Sequence, residues 1–448
     1  MGIAAIIAEY NPFYSGHLYQ IKELRKKLGE ETQILALMSG DFVQRGEPAV
    51  MDKYLRTELA LRGGVSAVAE LPVWMATASA ADFAEGAVRI LNALGCVDYL
   101  CFGCEHDNLE LLQETAGIFL EEPEPYRSLL KGDLAGGQSF PAAREAAFLQ
   151  HLKETGASFY HEESDHGFLR LPNNILAISY LIALRKTGSS IQPLPLRRLG
   201  NYHSEPASLK AAGAEIISPG SYMDAGEDVR YPGATAIRRE LMRERKSGQS
   251  AWDLPEALLT SPGAKGLLLE QAGKSFPVAA EDFFPALKYT LSMRAKEFSV
   301  YADVSEEMAN RLEKGWLEQM SMEELADYLH TANYTRSRAC RALLHILLGI
   351  RQDEVQRWKE NGWAFYLRIL GFLKQDETLI RTLASSSDIP LLLRAKLSEE
   401  MEDALSPAAL TSYRCDIDAA DRYELLRTMI PGFSVQPVRE YSKGLIKI

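Results

Sequence analysis

Ile3-Ala-Ala-Ile-Ile-Ala8 runs directly into Glu9-Tyr-Asn-Pro-Phe-Tyr-Ser-Gly-His17, and Leu18-Tyr-Gln-Ile-Lys-Glu-Leu-Arg-Lys-Lys-Leu28 follows. The first piece is a continuous apolar run, the form of a strand buried on both faces. The second contains Asn-Pro and a glycine and reads as a turn. The third puts Leu18, Ile21, Leu24 and Leu28 on one helical face, with Arg25, Lys26 and Lys27 in the last turn and Gly29 after it. That is helix C-terminal chemistry. A strand–turn–helix unit aims the free N–H groups and positive dipole end of the helix at whatever sits beyond the strand, and phosphate suits that place. Gly16 lets a ligand approach the backbone. His17, in the first turn, can donate to a phosphate oxygen or to charge developing on it. Ala8, Glu9, Tyr10, Asn11, Pro12, Phe13, Tyr14, Ser15, Gly16 and His17 are therefore expected to border a nucleotide.

The same alternation continues outward. Ile34–Met38, Val65–Glu70 and Val97–Phe102 read as buried strands, and Thr57–Leu61 and Ala80–Leu94 as helices. Buried strands alternating with amphipathic helices predict a parallel sheet covered on both faces, with ligands at the strands' carboxyl ends. Further helices are expected at Asn173–Leu184 and Thr235–Arg245, and a strand at Leu194–Leu199. Beyond about residue 280 the pattern predicts helix almost throughout: Glu306–Trp316, Met322–Ala332, Thr335–Leu348, Asp353–Trp358 and Phe365–Leu373. Pro255, Pro262 and Pro277 mark a boundary, so the expected domains are 1–250 and 285–448. The fold class expected is α/β with a parallel N-terminal sheet, followed by an all-α C-terminal domain.

The 448 residues are 46% hydrophobic and 25% charged, which excludes a mainly disordered or fibrous chain. The formal net charge is −12, so a nucleic-acid site has to be a local patch. Five cysteines are too few and too unevenly placed for a disulfide framework and suit a reducing cytoplasm. Gly2–Ala8 is too short for a signal peptide or a membrane span, so no membrane partner is expected. Cys101, Cys104 and His106 lie close together, but no second Cys/His pair has zinc spacing, and no metal site is expected. Glu162-Glu163 reads as a solvated loop.

Several blocks together resemble the bacterial tRNA(Met) cytidine acetate ligases, of the His-x-Gly-His nucleotidyltransferase superfamily. The N-terminal block is similar to the family's Glu-Tyr-Asn-Pro-Phe-His-Asn-Gly-His, with Tyr14 where the first histidine stands. A tyrosine hydroxyl donates one hydrogen bond and carries no charge near pH 7. Ser39-Gly-Asp-Phe-Val-Gln-Arg-Gly-Glu-Pro-Ala49, Glu70-Leu-Pro72, Phe102-Gly-Cys-Glu105, Pro172-Asn-Asn-Ile-Leu176 and Arg197 with Tyr202-His203 resemble further blocks. Ala234-Thr-Ala-Ile-Arg238 resembles the superfamily's second signature, with Gly233 at the place of a serine. Tyr334-Thr-Arg-Ser-Arg338, Leu343–Leu348 and Tyr366–Phe372 are similar to the helical C-terminal part.

The resemblance implies that acetate attacks the α-phosphorus of ATP, and that the acetyl group then passes to N4 of the wobble cytidine of elongator tRNA(Met). It implies catalytic roles for His17, Tyr14 and Arg238, with Arg238 on the leaving pyrophosphate. Gly103, Asn173 or Asn174, and Arg197 would contact ATP, and Mg²⁺ would accompany its phosphates. Two other classes stay open: a small-metabolite adenylyltransferase or carboxylate ligase, and a tRNA- or nucleotide-binding relative with weakened catalysis.

Asp41, Arg45 and Glu47 form a candidate functional loop, and Lys53 and Arg56 read either as helix-surface charges or as site residues. Residues 331–350 hold Arg336, Arg338 and Arg341 and no acid. Tyr334, Arg338, Arg341 and His345 fall on one helical face. A basic stripe with a tyrosine suits backbone contact and base stacking. Arg336, Arg338, Arg341 and Arg368 are therefore expected to touch tRNA. The same stripe is also expected of a helix whose arginines pair with acidic neighbours.

Overall fold

The computed structural model describes residues 2–160, 167–198, 233–248, 251–261, 263–294, 297–331 and 333–448. Tyr202-His203 and Glu162-Glu163 lie outside them.

The opening unit forms as its sequence dictates. Strand β1 (Ile3–Ala8) is followed by helix α1 (Ser15–Leu28), then β2 (Gln33–Ser39). A short hairpin, β3 (Phe42–Val43) and β4 (Glu47–Pro48), turns at Gly46, whose φ is +77°. Helix α2 (Lys53–Arg62) is capped by Asp52, whose carboxylate accepts from the N–H groups of Tyr54 and Leu55. Then come β5 (Ala67–Leu71), the Ala80–Ala93 helix, β6 (Tyr99–Cys104), the Pro172–Lys186 helix and β7 (Gln192–Arg197). Pro193 and Pro195 remove two ladder donors from β7, which is tolerated because it is an edge strand.

These strands are parallel neighbours in the order β5-β2-β1-β6-β7. The chain starts in the middle, moves outward through β2 and β5, and returns to the other side of β1 at β6. The gap between the carboxyl ends of β1 and β6 is thus the topological switch point, where such sheets bind ligands. Alternation builds the two layers. Ile34, Ala36 and Met38 of β2 pack with Ile21 and Leu24 of α1 and with Leu59 and Leu61 of α2. Leu35 and Leu37 face the other way, onto a core holding Trp74, Phe83, Ile90 and Leu91.

One expected element changes type. Phe365–Leu373 reads as helix, but Leu367–Phe372 is strand β8, fully buried and antiparallel to β5. A six-residue apolar run is ambiguous between a strand and a buried helical turn, and the open edge of β5 decides. Strands β9 (Leu391–Leu392) and β10 (Ile446–Lys447) pair with β8 in turn. The rest of the C-terminal part is helical, as expected. Residues 284–346 gather a core of their own around Leu287, Met308, Leu312, Leu325 and Leu343. The 22-residue helix Pro407–Thr428 packs against the main core through Ala419 and Tyr423. Among the described residues, no helix is long and apolar enough to cross a membrane.

Candidate active site

A cleft of about 250 Å³ opens at the switch point. Ala8, Glu9, Tyr10 and Asn11 come to it from the end of β1, Tyr14 and His17 from the start of α1, and Phe102 and Gly103 from β6. Asn173 and Tyr180 reach it from the Pro172–Lys186 helix, and Gly233, Ala234, Thr235 and Arg238 from the Ala234–Ser247 helix. A small recess beside it shares Tyr14, His17, Gly103 and Arg198 and adds Gly16 and Arg197. Three expected site residues are placed differently. Pro12, Phe13 and Ser15 are buried in the wall behind the cleft, where the ring of Phe13 fills the space that a Cβ on Gly63 would take.

His17 has one proton position left for chemistry. Its Nδ1 accepts the Tyr14 backbone N–H at 3.3 Å. Burial, with Arg198 nearby, pushes its pKa down to about 3, so the ring is neutral at physiological pH. A neutral imidazole whose Nδ1 accepts must carry its proton on Nε2. The rings of Tyr10, Phe13 and Tyr14 hold it in place, with centroids 4.8, 5.6 and 4.5 Å away. His17 is thus a fixed neutral donor at a helix N-terminus.

Tyr14 fills the place of the family's first histidine and explains Gly16. A Cβ on Gly16 would lie 2.6 Å from the Tyr14 ring. The Tyr14 hydroxyl is 3.3 Å from Arg198 Nη2, and Arg198 Nη1 is 3.4 Å from Asn173 Oδ1. Of the two arginines at the end of β7, Arg198 reaches the main cleft, while Arg197 lines only the recess. The family resemblance points to Arg197, and Arg198 is not among the residues expected from the sequence. The strict side-chain alternation of a strand was the available signal.

The Asn pair separates in the same way. Asn174 is fully buried: its Oδ1 accepts from the N–H groups of Glu105 and His106, and its Nδ2 donates to Phe168 O. It builds the turn after β6. Asn173 faces the cleft and donates from Nδ2 to Glu105 at 2.6 Å. Gly103 lies at the floor, where a Cβ would press on the Arg198 stem at 3.2 Å.

Arg238 donates from Nη1 to Asn11 O at 2.7 Å and from Nη2 to Thr235 Oγ1 at 3.3 Å. The second signature is thereby tied to the first turn, and the guanidinium borders the cleft. Gly233, in the place of a serine, leaves the start of that helix without a side-chain cap. Gln44, Arg45 and Glu47 reach the cleft from the β3–β4 hairpin, and Gln44 N–H donates to Glu9 Oε1 at 3.0 Å. Burial lifts the Glu9 carboxyl above its ordinary range against the pull of Arg238.

Asp41, Lys53, Arg56 and Arg368 are neither surface charges nor cleft residues. Arg56 is fully buried and donates to four carbonyls: Glu9 at 2.6 Å, Met51 at 2.9 Å, Ser39 at 3.1 Å, and Gly40. It fixes the carboxyl ends of β1 and β2. Lys53 Nζ sits 2.6 Å from Glu70 and 2.8 Å from Glu440, and its backbone N–H donates to Asp41. Arg368, expected on tRNA, is 3% exposed and pairs with the same two glutamates. It closes a buried network and has no surface to offer.

Arg341, also expected on tRNA, is turned inward in the same way. It is 7% exposed and its Nε donates to Asp303 at 2.8 Å. His345 also points inward, between Ala302 O and Thr77 Oγ1, each at 3.0 Å. Only Arg336 and Arg338 of the expected tRNA set stay on the surface. Arg336 pairs with Asp327 at 2.7 Å, and Arg338 lies over the Tyr334 ring at 4.9 Å. Their helix, Arg336–Leu348, touches the cleft's hairpin so closely that a Cβ on Gly46 would lie 2.3 Å from Arg341 N.

The Cys101–His106 segment holds buried thiols. Burial pushes Cys101 and Cys104 up to about 12, which disfavours the thiolate that metals bind. No group of three metal-binding side chains occurs among the described residues.

A family model described as HIGH Nucleotidyl Transferase matches residues 1–432. The chain is 36% identical over 427 residues to the tRNA(Met) cytidine acetate ligase of Acetivibrio thermocellus, with 94% of each chain covered. It is 34% identical to the protein of that name from Thermoanaerobacter sp. (strain X514), with 95% of each covered. Among solved structures it is similar to Thermotoga maritima TmcAL bound with alpha-thio ATP, at a TM-score of 0.81 and 28% identity over 100% of both chains. The apo form of that protein matches at 0.80. With the switch-point cleft, the donor at His17 and the second signature at Arg238 all in place, the chain belongs to the HIGH nucleotidyltransferase family, among the tRNA(Met) cytidine acetate ligases.

Proposed function

We propose that this protein is an ATP-dependent ligase that activates acetate as acetyl-adenylate and passes the acetyl group to N4 of the wobble cytidine of elongator tRNA(Met). The observation that carries the chemistry is His17: a neutral Nε2–H donor, fixed at the amino end of α1, beside the switch-point cleft. Attack by a carboxylate on the α-phosphorus places extra negative charge on phosphate oxygens. Donors fixed beforehand at that point stabilise the transition state without reorganising.

In this reading the α1 N–H groups and His17 hold the α-phosphate, and Arg238 draws off the pyrophosphate. Asn173, Gly103 and the Arg197–Arg198 pair border the nucleotide. Tyr14 supplies one neutral hydrogen bond where the family's first histidine would stand. Mg²⁺ arrives with the phosphates, because the described residues offer no acidic cage of their own. The tRNA lies over the Arg336–Leu348 helix, where Arg336 and Arg338 contact backbone phosphates. That helix abuts the cleft's hairpin, so a base splayed from the anticodon loop has a short way to go. Residues 1–250 are read as the catalytic domain and 285–448 as the tRNA-facing one, joined by β8 within the sheet. The setting is the cytoplasm, where ATP, acetate and tRNA occur together.

The test is to incubate the protein with ATP, isotope-labelled acetate and unmodified tRNA, then digest the RNA and analyse its nucleosides by mass spectrometry. Label in N4-acetylcytidine is the expected result. ATP consumption without labelled nucleoside contradicts the tRNA assignment and favours a small-metabolite acceptor.

A further inference from the structure

Acylating an amine releases a proton, and few of the described groups in the cleft can take it. His17 cannot, because its single lone pair is occupied by the Tyr14 N–H. Tyr10 and Tyr180 are buried phenols that burial keeps protonated, and arginines have no lone pair to offer. Among the described residues, two carboxylates line the cleft, Glu9 and Glu47. Glu47 stands on the hairpin. Glu9 stands at the end of β1, next to the turn that leads into α1, with Oε1 tied at 3.0 Å to Gln44 N–H. Its backbone carbonyl is pinned at 2.6 Å by the buried Arg56. The carboxylate is thereby held between the end of β1 and the hairpin.

We propose that Glu9 is the proton acceptor for acetyl transfer to the cytidine amine. The inference rests on the ligase reading above. The N4 lone pair attacks the acetyl carbonyl carbon of the adenylate, and a C–N bond forms. The bond between that carbon and the phosphate oxygen breaks, and its electron pair leaves with AMP. One N4 proton passes to the Glu9 carboxylate and from there to water once AMP departs. The groups facing Glu9 suit the task. Arg238 from the second-signature helix and Arg45 from the hairpin favour its anion, while burial and the nearby Glu47 oppose it. Tyr180, from the Pro172–Lys186 helix, is affected in turn by the Glu9 charge. The balance leaves the carboxyl above its usual range, which moves a general base closer to working pH.

The test separates the two half-reactions. Acetate-dependent pyrophosphate–ATP exchange reads the first, and single-turnover transfer from preformed acetyl-adenylate to tRNA reads the second. Glu9→Gln, which keeps shape and removes the base, is expected to slow transfer roughly 100-fold or more, and to slow it far more than exchange. Wild-type transfer should rise with pH and then level as Glu9 ionises, and this limb should be lost in Glu9→Gln. Glu47→Gln should give the smaller effect and keep the limb. If the wild type acetylates tRNA and Glu9→Gln transfers equally fast, or loses exchange and transfer in equal measure, the inference is overturned alone. If the wild type makes no acetylcytidine, the ligase reading falls and takes the inference with it.

Discussion

Two polar regions lie close together in this sheet and are built to opposite ends. The switch-point cleft is an open space lined by polar side chains, with His17 Nε2–H left as a donor and Arg238 and Asn173 anchored along its wall. The other region, at β5, β8 and the start of α2, holds Lys53, Arg368, Glu70 and Glu440 with every charge faced by an opposite one. Both draw on blocks that look alike in a sequence, short polar stretches after buried strands. What divides them is completeness. A buried network whose members all find partners fastens segments together, and one left with an unfilled side is available to a ligand. Here the fastening joins residues 53 and 70 to residues 368 and 440, so the last part of the chain holds the first part's loops in place. Arg56 then carries that order to the Glu9 and Ser39 carbonyls at the rim of the cleft.

The comparison breaks most sharply at Arg368. Arg368→Ala leaves Glu70 and Glu440 with a single buried cation, and stability should fall by about 3–5 kcal/mol in urea unfolding. A loss under about 1 kcal/mol would mean that the network is not closed. On the cleft side, His17→Ala removes one preorganised donor. Acetate-dependent exchange should fall roughly 100- to 1,000-fold, with the urea midpoint much less affected than in Arg368→Ala. Equal damage to both readouts would erase the distinction between the regions.

A third prediction concerns acid. Burial alone would raise the Glu440 pKa, but Lys53 and Arg368 hold it down to about 2. Its folded value lies below its unfolded one, so its contribution is present above the unfolded carboxylate range and is lost as pH falls from about 4.5 towards 2. Unfolding followed over that window should show wild-type stability dropping, and Glu440→Gln should show a flatter profile. An unchanged slope would place the charge pairing elsewhere. The smallest effect is expected at Tyr14→Phe, which removes the 3.3 Å contact with Arg198 and should cost about 1 kcal/mol or less in nucleotide binding. Tyr14→His sharpens the point. A large gain in exchange would mark the natural protein as a weakened catalyst, whereas no gain would mean that one neutral hydrogen bond suffices there.

The opening unit was legible because three signals agreed: the apolar run of β1, the Asn-Pro turn, and the 3.6-residue period of α1. The parallel sheet covered on both faces was legible from the same alternation, and its strand order was not. Strand β8 was not legible. Leu-Arg-Ile-Leu-Gly-Phe carries no period that separates strand from helix, and its partner β5 lies about 300 residues earlier in the chain. Arg368 was misread along with it, because an arginine in a helix faces outward by default, while in this strand it meets Glu70. Within the site, His17, Gly103 and Arg238 could be named from their blocks. The choice between Asn173 and Asn174, or Arg197 and Arg198, depends on which of two adjacent side chains lines the cleft. Composition is silent on that, and only the register of β7 against β6 and the turn after β6 settle it.

On the proposed reading, the switch-point cleft activates a small carboxylate with ATP. Pyrophosphate–ATP exchange, run without tRNA across a panel of short carboxylic acids, tests it most directly. Exchange that depends on acetate and saturates with it is the predicted result. ATP binding with no exchange for any acid would contradict a free acetyl-adenylate half-reaction, and with it the role assigned to His17.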